Sequence, residues 1–395
     1  MIDLDAGADL PRPGTDRLLL YLIGPGFGES QIICFPDGRW MVIDGCIHHK
    51  TNLTIALLEE LGCTRIDLLV ITHPDLDHIR GVPELVNRFP LERVWRYPTE
   101  KSLRDLLVRW TSGKDTRWRR RLLELRTLNE QLAALLKTRN IVREVCANTR
   151  PWPPGEATYH VDCIAPTDAE QQRLDEALEH LIAFEGDRFE LGEKFKAQLV
   201  GERPADDAPN LLSLAVAVRW NGWRILLAGD VENGDSSPFS GWKGVLDCLQ
   251  QDQLLHLVSQ VDLAKVAHHG SARSFHAPAW SLHAKPDRST VALLTPFNRG
   301  PSPLPSLQVL QGLKEHAGHL GITANTRDAF GQAEVAGWRR SSTSAATSSR
   351  GRPILAASFG ADGSLRLHAS AGAALFQKPP RRTFEDHLLA DDLPA

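Results

Sequence analysis

Apolar residues in this chain gather in short runs separated by glycine, proline and polar turns. Leu18–Ile23 and Gln31–Phe35 read as strands on either side of a glycine-rich turn, Gly24–Gly28. Trp40–Ile43 is a third strand after the turn Pro36-Asp37-Gly38. Asn52–Leu61 has helical patterning, Ile66–Thr72 reads as a strand, and a helix is expected from about Asp77 to Asn87 before the strand Val94–Tyr97. Further strands are expected at Tyr159–Ala165, Leu211–Val218, Arg224–Ala228, Leu263–Ala267, Thr290–Thr295, Ile354–Phe359 and Leu365–His368, with a helix at Ser306–Ala317. Trp220-Asn221-Gly222 joins two of these strands into a hairpin, because Asn-Gly tolerates the left-handed backbone of a tight turn. Short strands interspersed with helices predict a layered α/β protein.

Two segments depart from that pattern. Lys101 to Val145 holds 12 Lys/Arg against 5 Asp/Glu, a net of +7 in a chain whose formal net charge is -4. Its leucines at 122, 123, 125, 128, 132, 135 and 136 recur at near-helical spacing. Residues 101–150 therefore read as an inserted helical pair with a basic face, and Arg117, Trp118, Arg119, Arg120 and Arg121 are the candidates on it to meet a nucleic-acid backbone. A solvated surface helix is the plain alternative. Thr167 to Lys196 is acidic and helical in pattern and is expected to cap the core. A protein partner would bind through 101–150 or 168–193. Ser341 to Gly351 reads as a flexible loop, and 371–395 as a C-terminal tail beyond a main domain spanning 17–370.

Composition narrows the class. The chain has 395 residues, 42% hydrophobic and 24% charged, enough for a large core. Its negative balance excludes a general polycation, so nucleic acid would have to meet a local patch. The six cysteines form no C-x-x-C pair and read as reduced thiols of a cytoplasmic protein. Met1 to Asp16 lacks the basic start and apolar core of a secretory signal. No apolar run approaches the roughly 20 residues that span a bilayer, so no membrane association is expected.

Chemistry concentrates at three strand ends. His73-Pro74-Asp75-Leu76-Asp77-His78 places four potential metal ligands in six residues directly after an apolar run. Ile225 to Asp230 is an apolar strand ending in Gly-Asp, and Lys265 to Ser271 ends a strand in His268-His269-Gly270-Ser271. Carboxylates and neutral imidazoles suit zinc or manganese, and such a centre makes a nucleophile of water at neutral pH. His48 and His49 read as exposed, Lys265 as solvated and Ser271 as a helix N-cap.

In their order these motifs resemble the metallo-β-lactamase-fold hydrolases, and in particular the hydrolase domain of ComEC-type competence proteins. The resemblance is carried by Gly24–Gly28, Asp44-Gly45, His73–His78, Asn210 to Ser213, Gly229-Asp230, His268–Ser271 and, loosely, Thr295–Pro305, and it covers about 17–335 outside the insertion. It implies a four-layered αββα sandwich holding one or two divalent ions, zinc or manganese. His73 and Asp75 would hold the first ion, Asp77 and His78 the second, and Asp230 would bridge. His268 would complete the second site or sit beside it, favoured as the ligand over His269 because it directly follows the strand; spacing leaves His269 open. Asp77 and Asp230 are the expected catalytic carboxylates, with Asp77 a potential proton acceptor. This sequence departs from the family in Arg80, which stands near the metals and could meet an anionic substrate, and in Cys46 after Asp44-Gly45. It also lacks a clear counterpart of the family's separate single histidine, so Asn210 or water would complete that site. The expected activity is metal-dependent hydrolysis by an activated hydroxide, with DNA phosphodiester cleavage foremost. The same centre would serve a small-molecule hydrolase cleaving a lactone, lactam, thioester or phosphoester, or sit incomplete in a partner-regulated module.

Overall fold

Neighbouring residues along the strands face opposite apolar layers. Val216 and Val218 join one core cluster while Ala215 and Ala217 join the other; Leu263 and Ala264, and Leu293 and Leu294, divide in the same way. This is the two-residue period of a β-strand buried on both faces. The structure, a computed structural model, describes residues 2–6, 9–98, 119–147, 149, 151–154, 157–172, 210, 213–233, 241–298, 303–341 and 352–379.

Among these, one sheet runs in the order Ile2–Ala6, Leu365–Ala369, Ile354–Gly360, Arg17–Ile23, Ser30–Cys34, Trp40–Ile43, Leu68–Ile71, Val94–Arg96 and Val142–Glu144. The second runs Tyr159–Ala165, Ala215–Trp220, Trp223–Leu227, Leu263–Lys265, Val291–Leu294, His319–Ile322, Ala374–Gln377 and Arg339–Arg340. Residues of both sheets, such as Leu20, Ile33, Val218 and Ile225, share the inner cluster. Helices Leu53–Glu60, Val82–Arg88 and Arg119–Arg139 pack on the first sheet through Leu57, Leu85, Leu128 and Leu132. Helices Trp242–Gln251, Ala277–His283, Leu307–His316 and Ala329–Val335 cover the second through Val245, Trp280, Leu310 and Phe330. The layers are therefore αββα. Each fully buried leucine in them contributes about 1.5–3 kcal/mol by leaving water.

The hairpin at Asn221-Gly222 forms as expected, with φ of 46° and 84° at the two turn residues. The chain ends differ from the expectation. Ile2–Ala6 pairs in parallel with Leu365–Ala369 as an edge strand, its Asp3 and Asp5 alternating with apolar residues. The segment expected as a tail, 371–395, begins with a strand, because Ala374, Leu375 and Phe376 are buried against His319–Ile322. Of the expected insertion, 101–150, the helix Arg119–Arg139 is described, and Val142–Glu144 belongs to the first sheet as an edge strand. Arg117 and Trp118, and all but the first residues of 168–193, lie outside the described residues, as does 342–351; of Arg119, Arg120 and Arg121 only the backbone is described. No described helix is long and apolar enough to cross a membrane.

Trp40–Ile43 runs parallel to Leu68–Ile71, and Trp223–Leu227, Leu263–Lys265 and Val291–Leu294 run parallel to one another. Their carboxyl ends therefore open on one edge of the sandwich, where ligands of α/β sheets bind.

Candidate metal centre

The chain leaves Leu68–Ile71 at Thr72 and turns into a short helix, Leu76–Ile79, so that His73, Asp75, Asp77 and His78 come off one bend. Two glycines let backbone approach this bend and its partner. Gly28, at φ 143°, lies so close that a Cβ there would sit 2.6 Å from the Asp77 carbonyl oxygen, and Glu29 N donates to that oxygen at 3.1 Å. Gly229, at φ 53°, passes Leu214 and Ser213 where a Cβ would lie 2.4 Å from the Leu214 carbonyl oxygen. Ser213 Oγ then accepts from Asp230 N at 2.8 Å, fixing the aspartate that follows the glycine.

Asp77, His78, Asp230 and His269 bring one ligand atom each within 4.8 Å of one another. His78 Nε2 is 3.3 Å from Asp230 Oδ2 and 3.8 Å from Asp77 Oδ2, and His269 Nε2 is 3.1 Å from Asp77 Oδ2 and 3.9 Å from Asp230 Oδ2. On the other side of Asp230, His73 Nε2 lies 3.9 Å from the same Oδ2 and 3.7 Å from Asp75 Oδ2. Ligands about 2.0–2.1 Å from a tetrahedral ion sit about 3.3 Å apart, so these spacings suit a divalent cation.

The imidazoles are oriented for that use. His78 Nδ1 is 2.7 Å from Asp44 Oδ2, and Asp44 also accepts from Thr72 N at 2.8 Å and Thr72 Oγ1 at 2.6 Å. His73 Nδ1 meets Thr72 Oγ1 at 3.0 Å. The opposite nitrogens, Nε2 of His73 and of His78, are buried and have no hydrogen-bond partner among the described residues. An orphaned buried nitrogen is costly, and a ring held by its Nδ1 with Nε2 turned to carboxylates is how metal-binding histidines are arranged. The donor set therefore fits one or two divalent ions.

The carboxylates and imidazoles of the cluster shift one another's ionisation. Burial alone would raise the carboxyl of Asp230, but His78, Lys265 and His268 outweigh it and hold Asp230 well below the ordinary carboxylate range. Burial likewise opposes ionised Asp77, yet His78 and His269 keep it low. His78 is pushed well above its usual value: burial opposes its charge, but Asp230, Asp77 and Asp44 prevail. Burial and the neighbouring His78 drive His73 well below its usual value.

His268 differs from the expectation. It lies beside Glu232, with Nδ1 at 2.7 Å from Oε1, and is partly exposed, whereas His269 is buried and faces Asp77 and Asp230. The strand stops at Lys265, and both histidines take left-handed backbone angles, φ 45° and 52°, so that strand alternation no longer decides which one faces inward. Thr295 holds His269 Nδ1 at 3.0 Å and Phe297 stacks on its ring at 5.1 Å. Asn210 binds Glu232 at 3.2 Å and His268 at 3.4 Å. Arg80 is paired with Glu124 of the helix Arg119–Arg139 at 3.7 Å. Lys265, expected in solvent, is 1% exposed. Sequence reasoning also passed over Glu29, Asp44, Thr72 and Glu232 as supports. Of these only Asp44 carried a signal, its place in an Asp-Gly step at a strand end.

Comparison with known proteins places this geometry in a family. The model of the Metallo-beta-lactamase superfamily matches residues 23–279. Among solved structures, the chain is similar to the metallo-beta-lactamase fold protein YhfI from Bacillus subtilis at 10% identity, covering 71% of this chain and 86% of that one with a TM-score of 0.35. It is similar to Zn(2+)-bound PqqB from Methylobacterium extorquens at 10% identity, covering 63% and 69% with a TM-score of 0.29. It is also similar to CmlA, a diiron beta-hydroxylase from Streptomyces venezuelae, at 13% identity and a TM-score of 0.29, covering 67% of this chain but 47% of that one. No curated protein matches the sequence.

Proposed function

The chain belongs to the metallo-β-lactamase superfamily, and from that premise we propose that it is a metal-dependent phosphodiesterase, a nuclease acting on DNA. One observation carries the reading. Asp230 Oδ2 stands between two ligand groups, His73 with Asp75 and Asp77 with His78 and His269. Together they present three carboxylates and three imidazoles, a set rich in hard oxygen donors that suits manganese as well as zinc. Five further donors grouped on either side of Asp230 also weigh against an incomplete site. Bound there, divalent ions supply Lewis acidity and a water nucleophile at neutral pH, and a pair of ions is suited to in-line displacement at phosphorus.

The chain's own residues do the rest. Asp44 and Thr72 hold the rings of His78 and His73, and Thr295 with Phe297 holds that of His269. Asp77, on the more exposed side of the cluster, faces His78 and His269 and completes the ligand group with Asp230. The resemblance to ComEC-type hydrolases and the surplus of Lys and Arg in 101–145 favour a polyanionic substrate.

The test is a substrate panel: plasmid, linear duplex and single-stranded DNA, a lactone and a thioester, each with manganese, zinc, magnesium or chelator. Cleavage of DNA with metal, abolished in Asp77→Ala and His78→Ala, is expected. Hydrolysis of a small ester with no cleavage of any DNA would replace the nuclease reading by that of a small-molecule hydrolase.

A further inference from the structure

Lys265 is a buried cation that the ligand set does not use. It closes the strand Leu263–Lys265, and the two-residue period turns it to the same inner side as Leu263. Its ammonium lies 2.5 Å from Glu29 Oε1, donates to the Gly229 carbonyl oxygen at 3.0 Å, and stands 3.6 Å from Asp230 Oδ1. Glu29 is wholly buried; its second oxygen accepts from Thr295 Oγ1 and lies 3.5 Å from His269 Nδ1. The two oxygens of Asp230 thus face different neighbours. Oδ1 faces the ammonium, while Oδ2 is the oxygen nearest to His73, His78 and His269. A buried ion pair seldom adds net stability over an apolar replacement, so packing alone gives little reason for one here.

We propose that Lys265 is a positioning residue that makes Asp230 a single-oxygen bridge. The ammonium, 3.6 Å away and outside hydrogen-bond reach, attracts Oδ1 as an ion pair and so favours the orientation that turns Oδ2 to both ligand groups. Glu29 neutralises the ammonium, so that the cation does not repel incoming ions, and carries the same restraint through Thr295 to His269. The inference rests on the two-ion reading of the site but not on the identity of the substrate.

The double variant Lys265→Met with Glu29→Gln tests it, because it removes one charge of each sign and leaves the net charge beside the site unchanged. Manganese is the probe, with binding followed by titration and the ion pair by electron paramagnetic resonance. The expected result is native circular dichroism, a second-ion affinity at least tenfold weaker than in the parent, and an altered exchange-coupled manganese signal, since the freed carboxylate is no longer kept in one orientation. If that double variant does not fold, Lys265→Gln with Glu29→Gln, which keeps polar groups at both positions and the same net charge, is measured in its place, and the same changes are expected. Parental affinity together with a parental coupled signal in a folded variant would overturn the proposal and leave Lys265 as a counter-ion for Glu29. DNA cleavage is not the readout, so failure here is distinct from failure of the nuclease reading.

Discussion

His268 and His269 are adjacent, share the left-handed backbone region, and face different carboxylates, Glu232 and Asp77. His269→Ala should therefore lower metal content by one ion or weaken its binding at least a hundredfold, while His268→Ala retains the parental stoichiometry; metal analysis after dialysis reads the difference. Equal losses in both variants would contradict the assignment. At this scale the sequence was informative where ligands cluster and silent where partners come from afar. His73 to His78 announce themselves by density. Lys265 reads as solvated because its partner Glu29 sits far away in the chain, just before the strand Ser30–Cys34, and nothing local foretells that meeting. Asp44 is intermediate: the Asp-Gly step marks it, but its hydrogen bond to His78 depends on the parallel pairing of Trp40–Ile43 with Leu68–Ile71.

Among the elements, inner strands were legible because residues buried on both faces form unbroken apolar runs, as in Leu18–Ile23 and Leu68–Ile71. The strands near the chain ends were not: Ile2–Ala6 is short, acidic at two of its five residues and at a sheet edge, and Ala374–Gln377, though paired on both sides, follows a glycine turn that reads as the start of a tail. Helix Ala277–His283 supplies a pH prediction. His283, at its end, is buried; its Nδ1 lies 2.8 Å from the Val258 carbonyl oxygen, and Trp242 and Trp280 flank its ring. Burial pushes its imidazole down to about 4, with His276 and His316 adding to the shift against the opposing Val258 carbonyl. The unfolded chain then binds the proton more readily than the folded one between about pH 6.5 and 4. Stability from this residue is complete above about pH 6.5 and is lost as pH falls towards 4, an effect of about 1–3 kcal/mol. Urea denaturation at pH 7 and pH 4.5 should show a smaller acid loss in His283→Gln than in the parent; equal losses would mean that His283 has no part in the acid sensitivity.

Taken whole, the molecule joins two sheets whose parallel strands end on one edge, and that convergence turns three separate motifs into one centre. The layered class and the three ligand-bearing strand ends follow from apolar periodicity and motif order, whereas the choice between neighbouring histidines and the buried Lys265–Glu29 pair needed the assembled fold. The charge distribution makes a prediction at the same scale. The chain is net negative, yet 101–145 is strongly positive, and Arg119, Arg120 and Arg121 open the helix Arg119–Arg139 that packs beside the site. Reversing those three charges should weaken DNA binding and reduce the slope of log affinity against log salt by about one for each phosphate that is no longer neutralised; an unchanged slope would return the segment to an ordinary solvated helix. The central claim, that paired ions at this centre cut phosphodiesters, is met most directly by titrating manganese into chelator-stripped protein while recording bound ions and the rate of linear DNA cleavage together. Little cleavage is predicted until the second ion binds, followed by a rate that rises with its occupancy. Full occupancy by two ions without cleavage, or cleavage that persists without any ion, would contradict the claim.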